Sequence, residues 1–165
     1  MSLNVNLRRI VAIDPGVTTG VVMHEVIEGE VNPKFTRREF GPDEHHLQLF
    51  DWLKDLRPDV IVFERFEYRI VRNRGTDMPG IRLESREYIG VLRLYLQMHP
   101  NVEAAPQTVA SAKNLYTDDK LKRLGLYRAP LGRQHMNDAT RHALYYITVT
   151  MRRRDYLARL SPIFD

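Results

Sequence analysis

The chain has 165 residues, of which 43% are hydrophobic and 28% charged, with a formal net charge of +4 and no cysteine. This is one domain's worth of sequence with a core of ordinary size, and it excludes a disulfide framework and a zinc–thiolate site. No apolar run is long enough to cross a membrane and MSLNVNLRRI holds no apolar stretch of signal-peptide length, so a single cytoplasmic domain over residues 1–165 is expected.

The predicted elements begin with residues 8–13, an apolar run that reads as a buried strand, with residues 20–26 as its hairpin partner. Between them AIDPGVTTGVV puts Asp14 at the strand exit, before a Pro-Gly turn. Residues 34–40 alternate charged and aromatic side chains (Phe35, Arg37, Arg38, Phe40) and predict a third, more exposed strand. GPD at 41–43 is a helix entry. The helix behind it sets Leu47, Phe50, Leu53 and Leu56 at spacings of three and stops before Pro58. Residues 60–63 are apolar throughout, as in a strand covered on both faces, and end in Glu64.

RFEYRIVRNRGTDMP at 65–79 is a polar, arginine-studded loop. A long helix is expected over 80–98, with Ile81, Leu92, Tyr95, Leu96 and Met98 among its apolar positions, then a short strand over 101–106 ended by Pro106. Helical pieces near 107–115 and 117–124 follow, the second with Thr117 as N-cap and Asp118 and Asp119 in its first turn. A last helix over 137–153 carries Ala139, Ala143, Leu144, Ile147 and Met151 on one stripe. The order β-β-β-α-β-α-β-α-α describes an α/β fold, a five-stranded mixed sheet flanked by helices.

Charge is unevenly spread: residues 1–60 hold 7 Lys/Arg against 10 Asp/Glu, residues 61–165 hold 18 against 11. A basic second part suits a polyanionic partner, most often nucleic acid. Arg65, Arg69, Arg72 and Arg74 offer phosphate contacts, and Phe66 and Tyr68 could stack on an unpaired base. Lys113, Lys120, Lys122 and Arg123 form a second basic group suited to positioning DNA by its backbone.

Three acids occupy positions that chemistry can use. If the strands ending in Asp14 and Glu64 are parallel neighbours, their carboxylates share the sheet edge where open α/β folds bind ligands. Asp138 opens the last helix, and His135, three residues earlier, shares its side provided the helix begins by 135. Singly, Asp14 can be a turn former, Glu64 a partner of Arg65, Asp138 a helix N-terminal acid and His135 a loop histidine. Together they repel unless cations sit among them, and oxygen donors with one imidazole suit Mg²⁺ or Mn²⁺, two of which can drive phosphodiester hydrolysis. His24, His45, His46, His99 and His142 read as surface or packing residues.

The stretches IVAIDPGVTTGVV, RPDVIVFERF, SREYIGVLRLYLQ and HMNDATRHALYYI span nearly the whole chain. In that order they resemble the RuvC family of Holliday junction resolvases, within the RNase H-like superfamily. The resemblance implies Asp14, Glu64, His135 and Asp138 as the metal-binding catalytic set, with two Mg²⁺ or Mn²⁺ ions. It also implies a homodimer that nicks four-way DNA junctions, in a bacterial or phage-infected cell. The turn after Asp14 is one residue shorter than in the best-known bacterial members and resembles the phage-type branch. Phe66 and Tyr68 stand where those members place an aromatic at another offset, so flaps and other branched DNA enter as substrates. A non-catalytic nucleic-acid-binding module and a nuclease acting on RNA or RNA–DNA hybrid are the alternatives. DPGVTTG is also similar to a phosphate loop of actin-like ATPases, which need a second lobe; no GxxxxGK[ST] is present, and no nucleotide cofactor is expected.

Overall fold

A computed structural model describes residues 7–16, 18–27, 34–41, 46–65, 84–128 and 134–160. Five strands, β1 (Leu7–Asp14), β2 (Thr19–Ile27), β3 (Lys34–Phe40), β4 (Val60–Glu64) and β5 (Glu103–Gln107), form one sheet in the order β3-β2-β1-β4-β5. β1, β2 and β3 are antiparallel neighbours, and Asp14 stands opposite Gly20. β4 runs parallel to β1 and to β5, with Ile13 beside Phe63 and Glu64 beside Gln107. The crossover therefore delivers the ends of β1 and β4 to one edge, as the strand signals anticipate, and β5 brings its own end to the same edge.

The strands' period of two divides the core. Val11, Ile13, Val21, Phe40 and Ile61 pack under α1 (His46–Leu56) and α2 (Glu84–Met98) with Leu49, Leu53, Leu92 and Tyr95. Ile10, Ala12, Val22, Val60 and Val62 pack on the other face against Ala139, Ala143, Leu144 and Ile147. This second face is covered by α3 (Val109–Leu115), α4 (Asp118–Arg123) and α5 (Gln134–Tyr145), with a π-helical turn over Tyr146–Thr150 and α6 (Asp155–Leu160) beyond. Each fully buried aliphatic side chain contributes about 1.5–3 kcal/mol of transfer free energy.

Four expectations change. Leu47 is 65% exposed and the buried pair on α1 is Leu49 with Leu53, one helical turn apart. Pro106 lies within β5 and does not end it. β5 is an edge strand whose Glu103 N–H and Gln107 carbonyl bond toward β4, so the proline nitrogen faces the open side and no ladder bond is lost. Regular helix α5 stops at Tyr145 and passes into the π-helical turn, in which Thr148 Oγ1 donates to the Leu144 carbonyl at 2.7 Å. α6 is an element the sequence signals did not announce. Thr117 caps α4 as expected, accepting from the Lys120 N–H at 3.4 Å. The helix entry at 42–43, Ile81 and the loop residues Phe66, Tyr68, Arg69, Arg72 and Arg74 lie outside the described residues.

Candidate metal centre

Apolar residues carry the second half of β1 and all of β4 up to the sheet edge, and the polar residue that ends each run, Asp14 and Glu64, is left where the ladder stops. Both belong to the face under α5, as does Gln107 at the end of β5. One ligand atom from each of Asp14, Glu64 and His142 lies within 4.8 Å of the others. Asp14 and His142 are buried and Glu64 is half-buried. Burial first, and the adjacent Asp14 carboxylate second, push Glu64 up to about 7. Two carboxylates this close and this dry need a proton or a cation between them. Two oxygen donors and one imidazole suit Mg²⁺ or Mn²⁺, so the residues fit the metal that the family resemblance implies.

His135 joins through Asp14: its Nδ1 lies 2.7 Å from Asp14 Oδ2, and this hydrogen bond raises its pKa above the ordinary histidine value against the opposing effect of burial. Two glycines make room for it. A Cβ on Gly20 would lie 2.2 Å from the His135 carbonyl carbon and 2.5 Å from the Met136 nitrogen, so only glycine lets the first turn of α5 sit on β2. A Cβ on Gly16 would lie 2.6 Å from His135 Cε1, which ties the DPG turn to the ring's position.

Asp138 is held by cations. Its carboxylate pairs with Lys113 Nζ at 2.9 Å and with Arg141 Nη1, while Arg141 Nη2 reaches Asp118 and Nε donates to the Tyr116 carbonyl at 2.8 Å. The Asp138 charge still reaches Glu64 and His135, raising both. The buried guanidinium thus ties α5 to the start of α4. Lys113 faces this acid, apart from the other members of its basic group. Lys120 Nζ donates to the Leu115 carbonyl, Lys122 pairs with Asp119, and Arg123 and Arg65 are exposed.

His142 is the residue the sequence reading missed. It is 1% exposed, and one of its ring nitrogens lies within 4.8 Å of carboxylate oxygens of Asp14 and Glu64, a placement the reading as a surface or packing histidine did not include. The available signal was its spacing: His142 follows Asp138 by one helical turn, on a stripe otherwise made of Ala139, Ala143 and Ile147. Burial lowers its pKa, so the ring stays neutral.

No family model matches the sequence, and no curated protein is similar to it in sequence. Solved structures are similar in fold. Thermus thermophilus RuvC in complex with Holliday junction substrate matches at TM-score 0.55 and 17% identity, over 87% of this chain and 96% of that one. Fowlpox virus resolvase in complex with Holliday junction DNA matches at TM-score 0.55 and 12% identity, over 87% and 99%. The yeast mitochondrial Holliday junction resolvase matches at TM-score 0.55 and 15% identity, over 93% and 80%. The fold is that of the RuvC-like resolvases, an RNase H-like mixed sheet flanked by helices.

Proposed function

We propose that this chain is a divalent-metal-dependent endonuclease that nicks branched DNA, with a four-way junction as its preferred substrate. The observation that carries the reading is the pairing of buried Asp14 with half-buried Glu64 on adjacent parallel strand ends, flanked by two histidines of α5. Similar structures solved with Holliday junction DNA support the substrate class. Asp14, Glu64 and Asp138 would hold the metal, with His135 as a further ligand or as the group that moves a proton at the attacked phosphate. Two Mg²⁺ or Mn²⁺ ions, when bound, would supply an activated water and stabilise the leaving oxygen.

This chain's residues do the remainder. His135 fixes the Asp14 carboxylate through its hydrogen bond. Lys113 and Arg141 pair with the buried Asp138 carboxylate and hold it in place. Arg65, Lys120, Lys122 and Arg123 stand exposed for phosphate contacts. A homodimer would bring two such centres to opposed strands of a junction and yield paired nicks.

The test incubates the protein with Mg²⁺ or Mn²⁺ and a labelled four-way junction, beside flap, linear duplex, single-stranded DNA and RNA–DNA hybrid. Symmetric nicks in the junction, abolished by chelator, are expected. Comparable cutting of flaps would broaden the substrate to branched DNA in general. Cutting of the hybrid alone would make it a nuclease of RNA, and binding without cutting would make it a DNA-binding module; either overturns the reading.

A further inference from the structure

Gln107 closes β5 directly beside Glu64 in the parallel ladder, so the two side chains rise from the same face of the sheet. Its amide oxygen Oε1 lies 2.9 Å from His142 Nδ1, and both residues are buried. An amide oxygen only accepts, so Nδ1 carries the proton and the ring's lone pair is on Nε2. With Nδ1 committed to Gln107, Nε2 is the nitrogen left to serve the group formed with Asp14 and Glu64. The amide nitrogen Nε2 of Gln107 is buried and has no partner among the described residues. Buried polar groups are nearly always satisfied, so a glutamine held this way marks a constraint beyond packing.

We propose that His142 binds the metal through Nε2, as a ligand additional to those named above and next to Asp14 and Glu64, and that Gln107 is the positioning residue that fixes its tautomer. The proposal rests on the metal-centre reading above. It follows a general arrangement in which a metal-binding imidazole donates its other N–H to a neighbouring acceptor, whose loss costs about 10–100-fold in metal affinity. Glu64 and Gln107 then act as a pair from adjacent strand ends, one touching the metal and the other touching its ligand. His142 acts one turn along α5 from Asp138, which Lys113 and Arg141 already neutralise.

The experiment uses the full chain and Mn²⁺ as probe. In a His135→Asn background, electron spin-echo spectra of bound Mn²⁺ are expected to show a ¹⁴N coupling that His142→Phe removes. Gln107→Leu is expected to weaken Mn²⁺ binding about 10–100-fold, while Gln107→Glu, which keeps an acceptor on Nδ1, binds at least as tightly as wild type. Nitrogen NMR of the metal-free wild type gives a reading that needs no variant to fold: Nδ1 should be the protonated nitrogen of His142. An Nε2–H tautomer, or Mn²⁺ bound by wild type with affinity and spectrum unchanged in His142→Phe, overturns the proposal and leaves the metal centre standing. Absence of Mn²⁺ binding by wild type, or binding indifferent to Asp14→Asn, overturns the metal centre itself.

Discussion

On the face covered by α1 and α2, the strands present Val11, Ile13, Val21, Phe40 and Ile61 to Leu49, Leu53, Leu92 and Tyr95. On the face covered by α5, the alternate residues of the same strands supply apolar packing along their length and then Asp14, Glu64, Gln107 and His24. Among the described residues, every buried carboxylate, guanidinium and imidazole lies on this second side: Asp14, His24, Asp138, Arg141 and His142. One side is built to stay dry and hold the sheet, while the other gives part of its burial to groups that need partners. A strand can serve both because successive side chains point opposite ways.

The contrast breaks most visibly in the apolar face. Leu92→Ala is expected to cost about 2–5 kcal/mol, read by urea unfolding, with Mn²⁺ affinity of the folded protein unchanged. On the other face Gly20→Ala pushes a methyl group into the His135 and Met136 backbone. It should cost about 1–3 kcal/mol and also weaken Mn²⁺ binding and cleavage, because the first turn of α5 must move.

Two smaller effects sharpen the comparison through pH, and they have opposite signs. His24 is fully buried, next to Tyr156 Oη at 2.7 Å, and desolvation lowers it to about 3. Its folded pKa lies below the unfolded 6.5, so its contribution is complete above pH 6.5 and is lost as pH falls toward 3. By pH 5 the loss should be about 2 kcal/mol, and the acid limb of the unfolding profile should be shallower in His24→Asn. Glu64 is raised to about 7 from 4.5, so its contribution is complete below pH 4.5 and is lost as pH rises through 7. In the metal-free protein the melting temperature should therefore decline modestly from pH 6.5 to 8, where the His24 contribution is already complete, and Glu64→Gln should reduce that decline. The Leu92→Ala loss should be the same throughout this range.

Much of the site was legible because chain chemistry is local at strand ends. Four apolar residues followed by Glu64, or an apolar run followed by Asp14 and a Pro-Gly turn, announce where a ladder stops and a carboxylate is left. That the two strands are parallel neighbours follows from the helix between them and the crossover rule. His142 was not legible in this way. Its place depends on the long-range pairing of β4 with β5, which brings Gln107 beside Glu64 and within hydrogen-bond distance of the ring. Of the two cations on Asp138, Arg141 is one turn away on α5, whereas Lys113 is equally non-local, since it comes from α3. Leu47 misled because a spacing of three drifts around a helix of 3.6 residues per turn, whereas Leu49 and Leu53 do not.

The central claim is that the α5 face ends in a metal-dependent cleavage centre for branched DNA. Its most direct test compares wild type with Asp14→Asn on one labelled four-way junction with Mg²⁺, measuring binding and nicking in the same samples. The account predicts nicking reduced about a thousandfold or more in the variant, with junction binding equal or tighter because a carboxylate near phosphate is gone. Nicking at the wild-type rate by Asp14→Asn would contradict it.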